Sequence, residues 1–144
     1  MLKFISMGSG SSGNCIVVTG GRDVWLVDAG VSRKRIVEGL LSMEIDPAGV
    51  KGICITHEHR DHISGLGVLL RKYPMPVLAT GRTIDAILSD DSLGNVDRNL
   101  FYSIRPDDRI RTGDLTIEAS RVSHDAADPV CYTFSDPDAK VGIA

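Results

Sequence analysis

The chain opens on three short runs of apolar residues, LKFISM, CIVVTG and DVWLVDAG, each bounded by glycine and too short for a stable helix. GSGSSGN separates the first two and Gly20-Gly21 the next two, so the pattern predicts a β-meander. Ser32 then stands as an N-cap, and Ile36, Val37, Leu40, Leu41 and Met43 share one face of a predicted helix that Asp46-Pro47 closes. Arg33, Lys34, Arg35 and Glu38 fall on its solvated face. VKGICIT follows as a buried strand, and a helical period through Leu66, Leu69 and Leu70 runs until Tyr73-Pro74 stops it. PVLAT predicts a strand and RTIDAILSD a short helix. LFYSIRP, LTIEASRVSH, PVCYTFSD and KVGIA predict further strands. Strands and helices mix without strict βαβ alternation, which predicts α+β layering rather than a doubly wound sheet. No repeat or linker divides residues 1–144, so one domain is expected. KVGIA is an apolar strand with no cap or polar tail behind it, which leads us to expect a domain truncated at its C-terminus.

Composition narrows the partners. At 144 residues and 42% hydrophobic, the chain can bury roughly two thirds of the surface its unfolded form exposes. A formal charge of -3 and a pI near 5.7 supply no general basic field, so nucleic acid would have to be held by local patches or bound cations. No apolar run approaches the ~18 residues of a membrane span, and MLKFISMGSGSSG lacks the apolar core of a signal peptide. A soluble cytoplasmic protein with no membrane partner is the expectation. Cys15, Cys54 and Cys131 are odd in number and lack CxxC spacing, which argues against a disulfide framework or a cysteine zinc knot. Each lies in an apolar run and is expected to be a small buried hydrophobe in a reducing compartment.

The chemistry concentrates in THEHRDH, Thr56 to His62, which holds three of the four histidines together with Glu58 and Asp61. If the extended backbone continues through the motif, His57 and His59 project to one side and can grip one metal ion. Asp61 and His62, at the turn into the next helix, can reach a second ion, typically ~3.5 to 4 Å from the first in paired sites. Nitrogen and oxygen donors without thiolate suit zinc, manganese or iron. The remaining histidine, His124, ends the predicted strand LTIEASRVSH, which can deliver it to the same place. Asp28, in VDAG at the carboxyl end of a strand, reads as an acceptor for the ring N–H of a ligating imidazole, with Gly30 permitting a sharp turn. Glu58 and Arg60 alternate away from the ligands. GSGSSGN reads equally as a nest of backbone N–H groups for an anion and as a flexible hairpin loop.

These residues resemble the metallo-β-lactamase fold superfamily, whose HxHxDH signature is present as His57, His59, Asp61 and His62, with Asp28 upstream and His124 downstream. SGSSGNC, THEHRDHISG and SHDAADPV resemble, more narrowly, the YycJ/WalJ-type bacterial exonucleases, and the resemblance runs through essentially the whole chain. It implies an αββα sandwich, of which this chain is roughly the N-terminal half, with a dinuclear site at the edge of its two sheets. It implies His57, His59 and His124 on one metal and Asp61 and His62 on the other. Two divalent ions, zinc or manganese, would polarise a phosphodiester of DNA and lower the pKa of a shared water, with Asp61 as the catalytic residue that orients the water or takes its proton. The implied activity is 5′ to 3′ exonuclease action. The family pattern continues past KVGIA to a bridging aspartate and a further histidine. The fragment itself is therefore expected to be inactive and to bind fewer than two ions, and its uncovered sheet leaves self-association open. Cys131 stands where these relatives carry glycine, which reads as a packing variation. Two other functions share the motif: a metal-dependent thioester or lactam hydrolase, and a non-enzymatic regulatory partner in cell-envelope signalling. An amidohydrolase would carry HxH near its N-terminus and has no need of the Asp-His pair.

Overall fold

In the computed structural model, which describes residues 2–8, 10 and 12–143, two sheets stack face to face. The first has six strands side by side in chain order: β1 (Leu2–Gly8), β2 (Cys15–Gly20), β3 (Asp23–Val27), β4 (Gly52–Cys54), β5 (Val77–Thr80) and β6 (Phe101–Ile104). The second has four: β7 (Arg109–Thr112), β8 (Leu115–Arg121), β9 (Val130–Ser135) and β10 (Lys140–Ile143), each antiparallel to the next. Helices α1 (Arg33–Ser42), α2 (Arg60–Ile63), α3 (Leu66–Lys72) and α4 (Gly81–Leu88) pack on the first sheet alone. None of the described helices is long and apolar enough to cross a membrane.

The predicted meander forms, β1 to β3 being antiparallel. From β3 onward the strands run parallel, with α1, the α2–α3 pair and α4 as the crossovers that parallel pairing requires. The middle of the chain therefore alternates strand and helix more regularly than its pattern implies. β4 obscured this because only three residues, all buried, form it.

Two apolar layers follow from strand alternation. Leu26, Ile53 and Val77 point to the helices and meet Ile36, Leu66 and Ile87. Trp25, Val27, Cys54 and Leu78 point the other way and meet Leu115, Ile117, Tyr132 and Phe134 of the second sheet. The order helix, sheet, sheet is three of the four layers of an αββα sandwich. On its outer side the second sheet carries half-buried polar residues, among them Thr116, Glu118 and Thr133.

Several local expectations shift. β7 was not predicted, because in RIRT exposed arginines alternate with only half-buried Ile110 and Thr112 and leave a weak apolar face. The predicted α1 face extends too far: Leu41 is 58% exposed, and the helix ends at Ser42, before Glu44 turns left-handed at φ 60°. The helix predicted through Leu66, Leu69 and Leu70 forms as α3 and stops before Tyr73-Pro74, while the end of the histidine motif adds a short helix of its own, α2. Cys15 and Cys54 are buried as expected, whereas Cys131 is half-buried on the outward side of β9. Of the predicted anion nest GSGSSGN, Ser9 and Ser11 lie outside the described residues.

Candidate metal centre

The site forms where parallel β3 and β4 end side by side, the place at which open α/β sheets gather ligands. Asp28 follows β3 directly, donates its N–H to the Cys54 carbonyl at 2.8 Å, and adopts φ 63°. This is the left-handed region, which aspartate enters more readily than most residues. The turn aims the Asp28 carboxylate across the motif. Its Oδ1 accepts the Thr56 N–H at 2.8 Å, and its Oδ2 accepts the Thr56 hydroxyl at 2.8 Å and His62 Nδ1 at 2.6 Å. An ionised carboxylate has no proton to give, so the His62 proton sits on Nδ1 and its Nε2 presents a lone pair to the cleft. Burial pushes the Asp28 carboxyl up against the pull of His62 and Thr56. Burial pulls His62 down, and Asp28 and Asp61 more than offset it. The raised His62 pKa means that a second ring proton, on Nε2, is held to higher pH than on a free imidazole, so an ion bound there must displace it.

The backbone from Ile55 to His59 is past the end of β4, so the motif begins as a loop rather than a continued strand and ends in α2. His59 is nevertheless extended, with φ -63° and ψ 148°, as the residue that caps α2. This brings the rings of His57 and His59 to a centroid distance of 4.7 Å. His124 joins them at 4.5 Å from His57 and 5.2 Å from His59. One ligand atom from each of the three lies within 4.8 Å of the other two. Three imidazole nitrogens gathered this closely are the kind of donor set that holds a divalent ion such as zinc. Burial first, and then the neighbouring imidazoles, drive the His57 pKa down to about 4 against the opposing pull of Asp61. A neutral ring with a free lone pair is the form a metal takes, and the donor set fits a borderline divalent ion.

His124 does not end a strand, since β8 stops at Arg121; it sits in the loop between β8 and β9. That loop is fastened to the first sheet at several points. The Thr80 hydroxyl donates to the Asp128 carbonyl at 2.9 Å, Val130 N–H donates to the Thr56 carbonyl at 3.0 Å, and the Glu58 carboxylate accepts the Ala127 N–H at 3.0 Å. Glu58 thus faces the loop rather than solvent. The Tyr132 hydroxyl adds a bond to the Ile55 carbonyl at 2.8 Å. Asp61 and His62 stand together beside the imidazoles, with Asp61 Oδ2 3.5 Å from His62 Nε2 and the His57 and His62 ring centroids 3.9 Å apart. His57, His59, Asp61, His62 and His124 open onto one cleft of about 580 Å³.

Two contributors escaped the sequence reading. Thr56 links Asp28 to His57, its hydroxyl lying 3.0 Å from His57 Nδ1. Asn14 reaches both Asp61 and His62. The only signal in the sequence is that each stands at one end of a singled-out motif, Thr56 opening THEHRDH and Asn14 closing GSGSSGN. Gly30 is needed for a different reason than the predicted turn: a Cβ there would lie 1.8 Å from the Asp61 carbonyl oxygen. Gly30→Ala must push the motif turn away from β3, and overpacking of this kind typically costs about 1–3 kcal/mol. A thermal melt is expected to show a transition several degrees lower, with weakened metal binding; an unchanged melt would mean that the turn yields freely.

The two imidazole environments have opposite pH signatures in the metal-free chain. His57, depressed from 6.5 to about 4, favours the fold while neutral, so its contribution is complete above its unfolded pKa and is lost as pH falls from about 6.5 toward about 4. His62, raised, contributes fully below its unfolded pKa and loses that contribution as pH rises through the folded one. Denaturant midpoints measured against pH in chelator are expected to peak near the ordinary imidazole pKa. A flat acid limb would contradict the His57 environment.

Stacked sheets with helices on the outer face, and an HxHxDH turn at the carboxyl ends of β3 and β4, define a family of metal-dependent hydrolases. The chain belongs to the metallo-β-lactamase superfamily, whose family model matches residues 8–139. Among curated proteins it is similar to exodeoxyribonuclease YycJ of Bacillus anthracis, 39% identical over 142 residues, or 99% of this chain and 53% of that protein. It is similar as well to exodeoxyribonuclease WalJ of Streptococcus pneumoniae, 40% identical over 136 residues, or 94% of this chain and 51% of that protein. The chain thus spans about half the length of these relatives. Among solved structures, a B3 metallo-β-lactamase with an active-site glutamic acid shares the fold, with a TM-score of 0.80 and 17% identity over 97% of this chain and 57% of that one.

Proposed function

We propose that this chain carries the histidine half of a dinuclear centre that, in the full-length protein, hydrolyses phosphodiester bonds of DNA as a 5′ to 3′ exonuclease. The observation that carries the metal reading is the convergence of His57, His59 and His124, with His57 held neutral. The similarity to YycJ and WalJ supports the substrate. His57, His59 and His124 would hold one divalent ion, zinc or manganese, and Asp61 and His62 a second. Such ions supply Lewis-acid polarisation of a phosphoryl oxygen and charge neutralisation around it. The protein's own work is to fix the geometry: Asp28 holds the His62 tautomer, Thr56 joins Asp28 to His57, and Glu58 pins the loop that delivers His124. Asp61, whose side chain is 31% exposed at the cleft, is the group placed to orient an attacking water or accept its proton. Three unpaired cysteines fit a reducing cytoplasm.

With Asp61 and His62 as the two ligands at the second position among the described residues, the 144-residue chain is expected to be inactive alone and to bind fewer than two ions tightly. Metal analysis that finds two tight ions per chain would contradict this. The activity itself is tested by manganese-dependent release of nucleotides from 5′-ended duplex DNA by full-length protein. Folded protein that releases none with any divalent metal would overturn the nuclease reading. A carbon-ester substrate has its own support in a 28% identity over 117 residues to hydroxyacylglutathione hydrolase of Hahella chejuensis. Hydrolysis of a thioester without action on DNA would favour that reading.

A further inference from the structure

Asn14 occupies an unusual place at the edge of the candidate centre. Its backbone is locked to the motif on both sides: its N–H donates to the Asp61 carbonyl at 2.6 Å, and its carbonyl accepts the Gly30 N–H at 2.8 Å. Its side-chain Nδ2 lies 2.8 Å from the Gly10 carbonyl, 3.1 Å from the Asp61 carbonyl, 3.2 Å from Asp61 Oδ2 and 3.3 Å from His62 Nε2. An amide nitrogen carries two protons, and here it faces four acceptors. The short bond to Gly10 takes one. The other is left to three acceptors, of which the Asp61 carbonyl already has the Asn14 backbone N–H. Asp61 Oδ2 and His62 Nε2 therefore share a single weak donor. Nor can His62 turn over to find another, because its Nδ1 proton is held by Asp28 at 2.6 Å.

We propose that the Asn14 side-chain amide is a placeholder for the second cation, holding Asp61 and His62 in their converged positions until an ion displaces it. The inference rests on the reading of Asp61 and His62 as ligands of that ion. A carboxylate oxygen and an imidazole lone pair aimed at one partly positive N–H present the arrangement that a cation would satisfy more completely. An ion that takes both lone pairs must first remove them from the amide. Hydrogen bonds present without the ion and absent with it count against ion binding, so the amide preorganises the two side chains and also competes for them. The competition extends to the glycine-serine loop, because Asn14 Oδ1 accepts the Gly10 N–H at 3.0 Å and the amide cannot swing away without releasing it. Asn14 acts as a positioning residue, with no contact to substrate implied.

The sign of one substitution separates a placeholder from a simple brace. Asn14→Ala removes the competitor, so the second ion is expected to bind about 3- to 10-fold more tightly, the range of one net hydrogen bond. The metal-free chain should melt at a lower temperature. Asn14→Asp puts a carboxylate where the amide stood and should tighten the ion further. The chain is first loaded with one equivalent of zinc, which outcompetes manganese for the imidazoles. Manganese is then titrated and the free ion followed by electron paramagnetic resonance. Tighter binding in Asn14→Ala, with the Gly10 amide resonance shifting as manganese fills the wild-type site, supports the proposal. Weaker or unchanged manganese binding in Asn14→Ala overturns it, whatever the added carboxylate of Asn14→Asp does. Asp61→Ala is the separate control: if it leaves manganese binding by the wild-type background untouched, the assignment of Asp61 as a ligand fails, whatever the Asn14 variants do.

Discussion

Replacing His59 or His124 with alanine is expected to remove the tight divalent site of this chain. Both rings belong to the group whose ligand atoms lie within 4.8 Å of one another, and an ion that loses one of three imidazoles loses a third of its protein bonds. Loss of a partner that merely orients a ligand typically costs about 10–100-fold in metal affinity, so loss of the ligand itself should cost more. His59 is half-buried and His124 exposed, so neither truncation opens a core cavity and the fold should persist. Competition against a chromophoric chelator measures the affinity directly. Thermal melts offer a second readout: zinc at about 100 times its dissociation constant adds ~2.7 kcal/mol to the wild type, a gain that both variants should lack. Zinc bound equally well by both variants would show that the ion sits elsewhere.

Asp28 is expected to be the most sensitive position for stability. It is buried, 3% exposed, and its carboxylate accepts two bonds from Thr56 and one from His62. Asp28→Ala would strand those donors, leave the His62 proton unpaired and place alanine at φ 63°. Breaking a buried charge pair from one side typically costs about 3–5 kcal/mol, with the backbone strain to be added. Asp28→Asn separates two roles. Asparagine tolerates the left-handed backbone and can still accept one bond, so most of the stability should return. It cannot accept from His62 and Thr56 as a carboxylate does, so His62 loses the partner that fixes its tautomer. Metal affinity at the Asp61–His62 position should then stay about 10–100-fold below wild type even though the fold recovers. Chemical denaturation and metal titration of the two variants would test this. Full recovery of both properties in Asp28→Asn would show that the charge on Asp28 is irrelevant to the centre.

What a short window of sequence could settle, it settled. HxHxDH is a local pattern whose ligand types announce metal chemistry, and the meander at the start follows from apolar runs interrupted by glycine. β7 and the early end of β8 were not legible, because strand bounds in a polar or half-buried ribbon depend on its partners rather than on its own pattern. The far end of α1 was misread for a related reason: apolar period alone extends the helix through Leu41 and Met43, while a left-handed Glu44 stops it.

The donor inventory was thus determined by the sequence alone: four histidines, Asp61 and Asp28, with no thiolate among them. Only the tertiary structure decided how they meet. Parallel pairing of β3 with β4 sets Asp28 beside Thr56 and His62, though 28 and 34 residues separate them along the chain. The loop after β8 brings His124 to His57 because Glu58, Thr80 and Thr56 fasten it to the other sheet. Gly30 and Asn14 take their meaning from backbone contacts with Asp61 that no local periodicity encodes. The physical reason is the same throughout: side-chain chemistry is carried by residue type, whereas convergence depends on strand order and on hydrogen bonds between segments far apart in the chain.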